Sequence, residues 1–149
     1  MRVIDREREI SAQRELLWKI VADRHALPRW WPRVARVEDA SEQAWTTVVT
    51  SPNGKALRAD YTLLACEAPS RLCWRHEIVE SPFERLLTSS IYELALEQAQ
   101  AGTTRVRLRA ELGLRGFARL GGFQVTRATT RQLDGALRGL AAISERPGD

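Results

Sequence analysis

Across residues 33–114 apolar and polar side chains alternate with a period of two, and only one long amphipathic helix follows. This combination restricts the fold more than any other feature. Leu57, Ala59, Tyr61, Leu63 and Ala65 share one face, against Arg58, Asp60 and Thr62 on the other. Leu72, Trp74, His76 and Ile78 form the next apolar set, then Ser90, Tyr92, Leu94 and Leu96, then Val106, Leu108, Ala110, Leu112 and Leu114. Turn signals separate them: Ser51-Pro-Asn-Gly54, Pro69-Ser70, Ser81-Pro-Phe83 and Gly102. Such a meander makes an antiparallel sheet with one apolar face, and that face has to be covered.

The cover comes at the end of the chain. Leu133, Ala136, Leu137 and Leu140 recur at helical spacing, with Arg127, Arg131, Asp134, Arg138 and Glu145 opposite. Counted backward, Thr129, Thr126 and Gly122 continue the apolar side. The face is bulky at its C-terminal end and small at its N-terminal end. One half is expected to seal a core and the other to border a space. Phe117 and Leu120 fall off this face, and a glycine inside a helix costs about 1 kcal/mol. The helix is therefore expected from about Gly122, after a separate turn or kink over 115–121.

Before the meander, residues 2–10 read as a strand with Ile4 and Ile10 inside, and with Arg6 and Arg8 unexpectedly on the same side. Ser11 is placed to cap a first helix carrying Leu16, Leu17, Ile20 and Val21. Pro28 and Pro32 bound a short second helix or turn containing Trp30 and Trp31, which cannot both face the same way. The order is strand, two short helices, six strands and a long helix. Residues 1–146 are expected to form one domain, with a disordered tail over 147–149.

Composition narrows function by exclusion. The 149 residues carry a net charge of +4 with the signs interleaved, and no basic run stands apart, which argues against nucleic acid as partner. No apolar run approaches a membrane span and no signal-peptide pattern opens the chain, so a cytoplasmic location is expected. There is no phosphate-binding glycine loop and no nucleophile elbow. His25 and His76 offer no metal-ligand spacing, and no cofactor or metal is expected. The Pro69 hairpin reads with Glu67 facing Leu72, which sets Cys66 opposite Cys73 and Tyr61 opposite Ile78. That register places both thiols on the outer face, about 4.5–5.5 Å apart at their β-carbons. Reduced thiols are the favoured reading over a cross-strand disulfide.

Several pieces taken together resemble a known family: Ile10-Ser-Ala12, Leu17-Trp18, Ala22-Asp23, Trp30-Trp31-Pro32 before Val37-Glu38, Pro69 through Trp74, Pro82-Phe83, and Gly102 through Val106. In this order and over nearly the whole chain they resemble the START-like superfamily, also called SRPBCC, and within it the bacterial polyketide cyclase/dehydrase-like proteins. The resemblance implies an α+β helix-grip fold, a curved antiparallel sheet of about seven strands gripping the long C-terminal helix. It also implies a ligand cavity between the two.

With the faces assigned above, that cavity would be lined by Tyr61, Leu63, Trp74, His76, Ser90, Tyr92 and Leu94 from strands, joined by Trp45 or Thr47. Gly122, Phe123, Thr126 and Thr129 would come from the helix. These residues suit either a small-molecule site or plain core packing. One functional reading is a binding module for a hydrophobic small molecule, aromatic, polyketide-like or lipid-like. The alternative is a polyketide cyclase or dehydratase in which His76, with Tyr61 or Tyr92, moves protons. Against the latter stands a hydrogen-bonded core histidine. Arg6 and Arg8 are candidates for an anionic group at the pocket mouth or for a solvated edge. A role in protein interaction, through the outer surface, is the third reading. The sequence does not choose between monomer and homodimer.

Overall fold

The computed structural model describes residues 1–116 and 121–145. Phe117, Leu120 and the tail expected over 147–149 lie outside them, so the turn expected over 115–121 is described only at its ends. Seven strands form one antiparallel sheet: β1 Arg2–Ile10, β2 Val34–Glu38, β3 Ala44–Thr50, β4 Ala56–Glu67, β5 Arg71–Glu77, β6 Leu87–Gln100 and β7 Thr103–Leu114. Their order is β1-β7-β6-β5-β4-β3-β2. Between β1 and β2 lie α1 (Arg14–Val21) and the single-turn α2 (Leu27–Trp30), and α3 (Gly122–Ser144) closes the chain. This is the helix-grip arrangement.

The alternation of β6 and β7 is realised residue by residue. Ser90, Tyr92, Leu94 and Leu96 are buried, as are Val106, Leu108, Ala110, Leu112 and Leu114. The outer face is held by exposed or half-exposed ion pairs such as Arg109–Asp5 at 2.9 Å and Arg71–Glu93 at 2.7 Å. Pairs so exposed contribute little each.

Helix α3 runs alongside β1 in the same direction. Gly122 lies against the Arg2 guanidinium, Arg6 Nε donates to Asp134 Oδ1 at 2.7 Å, and the Ser11 backbone N–H donates to Glu145 Oε2 at 2.7 Å. The lengths match: about 24 residues of helix at ~1.5 Å each and nine strand steps at ~3.3 Å each both span some 30–36 Å. Arg6, out of place by pattern, thus reaches the helix rather than a pocket mouth. Leu133, Ala136, Leu137 and Leu140 are buried as expected.

Two local expectations are corrected. Gln13, not Ser11, occupies the N-cap of α1, because the helix begins at Arg14, too far along for the Ser11 hydroxyl to cap it. In the β4–β5 hairpin Glu67 pairs with Arg71 and Cys66 with Leu72, one step from the expected register. A bulge then leaves Leu64 unpaired, so that Ala65 faces Cys73 while Leu63 faces Trp74 and Tyr61 faces His76. Ala65 therefore leaves the inner face. Cys66 shares the side of Leu72, and Cys73 takes the other, so the two thiols lie on opposite faces. Both are free, and burial raises the Cys73 thiol above its ordinary range.

The tryptophan pair resolves as two different contacts. The backbone of Trp30 meets α3, where a β-carbon on Gly139 would strike the Trp30 carbonyl and one on Gly135 would come within 2.8 Å of Pro32 Cγ. Trp31 turns toward the sheet, edge-on to Trp74 and Tyr92 at 6.0 Å each. Gly139→Ala would gain about 1 kcal/mol in helix propensity on an open helix. Here the new methyl meets backbone that cannot rotate aside, at a cost of about 1–3 kcal/mol. The expected outcome is a net loss of stability, read as a lower urea midpoint with an unchanged slope.

Candidate functional site

Two spaces lie beneath the helices on the inner face. The larger is a cleft of about 500 Å³ between α3 and strands β3–β6, with Ala59, Leu87 and Val125 among its apolar walls. The smaller is a cavity of about 60 Å³ under α1 and α2, walled by Trp31, Trp45, Leu63, Leu72 and Trp74. Tyr61, Val49 and Gln132 border both.

Cross-strand register builds the partition between them. Trp45 faces Tyr61 across β3–β4, and Tyr61 faces His76 across β4–β5. The rings follow suit: Trp45 stacks on Tyr61 at 5.7 Å, Tyr61 on His76 at 4.9 Å, and Phe83 meets His76 edge-on at 4.8 Å. Arg24 caps this row with its guanidinium 4.7 Å from the Trp45 ring. In the neighbouring row Trp74 stacks on Tyr92 at 5.8 Å.

Burial dominates the titration of these groups. His76 is 6% exposed, and desolvation lowers its pKa to about 4 against the pull of Asp60 and Glu77. Desolvation raises the Tyr61 phenol, and the Tyr92 phenol as well. The Thr47 and Ser90 hydroxyls lie near enough to temper these rises, yet neither has a partner of full hydrogen-bond geometry. His76 Nε2 also has no protein partner among the described residues. Tyr92 reaches Gln132 Oε1 at a long 3.5 Å. The row can thus present neutral donors and acceptors to a guest. An imidazolium or a phenolate at neutral pH is disfavoured there.

Tyr61, His76, Ser90, Tyr92 and Thr129 come together around the cleft, and Tyr61, Leu63 and Trp74 around the small cavity, which Trp45 and Thr47 also line. Four expected residues fall elsewhere. Leu94 is wholly buried in the core. Gly122 is occupied by Arg2, Thr126 Oγ1 donates to the Gly122 carbonyl at 2.9 Å, and Phe123 is 60% exposed. The helix instead presents Val125, Ala128, Thr129 and Gln132 to the cleft, with Arg131 at its edge. Those four repeat the i, i+3, i+4, i+7 spacing, a signal overlooked by extending the Leu133 face backward. Arg33 and Phe83 are further lining residues with no sequence signal.

Among the described residues no cluster of histidine, cysteine and carboxylate could hold a metal ion, and no helix is long and apolar enough to cross a membrane.

A family model described as polyketide cyclase / dehydrase and lipid transport matches residues 1–145. No curated protein matches the chain. Solved structures match it closely in shape. A START superfamily protein from Mycobacterium smegmatis has a TM-score of 0.76 at 13% identity, covering 96% of this chain and 97% of its own. XoxI from Bacillus cereus has a TM-score of 0.79 at 13% identity, covering 97% and 96%. The di-domain ARO/CYC StfQ from the steffimycin biosynthetic pathway has a TM-score of 0.75 at 18% identity, with 96% of this chain covering 51% of that one. At these identities the likeness is one of fold.

The depressed His76 pKa gives a stability prediction. Between the ordinary value of 6.5 and about 4 the unfolded chain binds a proton that the folded chain refuses. Stability is therefore full above pH 6.5 and falls as pH drops toward 4, by on the order of 3 kcal/mol at most. Urea unfolding at pH 7 and pH 4.5 should show this loss in the native protein and a much smaller one in His76→Phe.

Proposed function

The chain belongs to the polyketide cyclase/dehydrase and lipid transport family, and on that premise we propose that it holds a hydrophobic small molecule between α3 and the sheet. The observation that carries this reading is the cleft of about 500 Å³ with predominantly apolar walls and a few convergent polar groups. Spaces of that size and make-up suit aromatic, polyketide-like or lipid-like molecules. The aromatic row from Trp45 to Phe83 offers flat apolar surface on one side, and α3 closes the other.

The alternative is acid–base catalysis by His76 with Tyr61 or Tyr92. It has the proximity of the His76 and Tyr61 rings in its favour. Against it, the rings stack without a hydrogen bond, and burial holds all three groups neutral. An imidazole with a pKa near 4 is a weak base at pH 7. This geometry supports recognition over proton transfer.

Native mass spectrometry of the purified protein, followed by organic extraction, tests the proposal directly by identifying any molecule carried in the cleft. A variant provides the second arm. Val125→Trp places a large ring in the cleft from a half-buried helix position. It is expected to weaken binding of an anilinonaphthalene dye by tenfold or more, while the thermal midpoint stays within about 3 °C, the scale of a change under ~1 kcal/mol. Undiminished dye binding in Val125→Trp would place the ligand elsewhere.

A further inference from the structure

His76 and Ser90 stand in a relation that packing does not explain. In the β5–β6 register Trp74 faces Tyr92 and Arg75 faces Ile91. The ladder ends at that pair, and His76 and Ser90 are the next residue on each strand, on the face that carries Trp74 and Tyr92. His76 is 6% exposed and Ser90 1%. His76 Nε2 and Ser90 Oγ are both buried, and neither has a protein partner among the described residues. Both residues line the same cleft. A buried polar atom left unpaired is destabilising, and two on residues that border one space mark a place where a guest supplies the missing partner.

Resting on the ligand-binding reading above, we infer that His76 and Ser90 select a guest that leads with a neutral hydroxyl, a phenol or enol, over one that leads with a carboxylate.

The chemistry follows from what each atom can offer. A neutral imidazole has one N–H and one lone pair, and a serine hydroxyl rotates to donate or accept. Burial keeps the imidazole in that neutral form at pH 7. A guest hydroxyl between them can donate to one and accept from the other, satisfying both at once. A carboxylate has only acceptors, and would bring a full charge among Tyr61, Phe83, Leu87 and Ala59, where no cation among the described residues meets it. Among the described residues the cationic side chains lining the cleft, Arg33 and Arg131, belong to exposed residues. They can receive an anion only in the opposite orientation, with the apolar body pointing inward.

The test uses three probes of one shape: naphthol, naphthoate and unsubstituted naphthalene, titrated calorimetrically at neutral pH into the whole chain and into Ser90→Ala, His76→Phe and Arg131→Ala. Naphthol is expected to bind about tenfold more tightly than naphthoate, and more tightly than naphthalene. Ser90→Ala and His76→Phe should each weaken naphthol several-fold and leave naphthalene unchanged, which also shows that the cleft is intact. The inference is overturned, with the ligand-binding reading still standing, if naphthol and naphthalene bind alike. The same holds if naphthoate binds best and loses its affinity in Arg131→Ala. If none of the three probes binds, the ligand-binding reading falls and this inference falls with it.

Discussion

A single helix cannot cover this sheet, and the site is a consequence of that mismatch. Seven strands spaced at about 4.8 Å span nearly 30 Å, whereas a helix with its side chains is about 10–12 Å across. Helix α3 lies on the β1 side, where the Arg6–Asp134 and Ser11–Glu145 contacts mark either end of its core-sealing half. There it covers the fully apolar rows of Val106, Leu108 and Leu112. The other half of the inner face is left to the short helices. Trp31 plugs part of it, and the remainder is the cleft.

What the cleft contains depends on pairing register. The turn at Pro69 shifts the pairing by one residue and the unpaired Leu64 on β4 by a second, which together bring Tyr61 opposite His76 instead of Ile78. Turn and bulge together therefore create the continuous row of Trp45, Tyr61, His76 and Phe83. The turn register separates the two cysteines, and the bulge exposes Leu64. Bulges also bend the strand that carries them, which helps a sheet this wide curl toward the helix.

The glycines of α3 serve contact more than mobility. Gly139 admits the backbone of Trp30 and Gly135 the ring of Pro32 at distances no side chain permits, and Trp31 between them walls the small cavity. A helix with alanine at both positions would carry the same apolar stripe of leucines. It would also push the tryptophan pair outward and change the wall shared by the two spaces.

The sequence by itself determined the element order, the antiparallel sheet, the inward faces of β6 and β7, and the anchoring leucines of α3. These follow from strict periodicity, which each segment displays without reference to any other. Tyr61, His76, Ser90 and Tyr92 were legible as inward-facing strand residues for the same reason. The β4–β5 register was not legible, because the turn shifts the pairing by one residue and the bulge by another, and the alternation within each strand segment reveals neither. Nor was the helix face toward the cleft. Leu133 and Gln132 are neighbours on one wheel, and only the docking of α3 against β1 and Trp30 decides which of them meets the core and which the open space. The tertiary structure also set the charge state of His76. Its neutrality comes from desolvation by residues brought together from β4, the turn at Phe83 and β6, none of them adjacent to it in the chain.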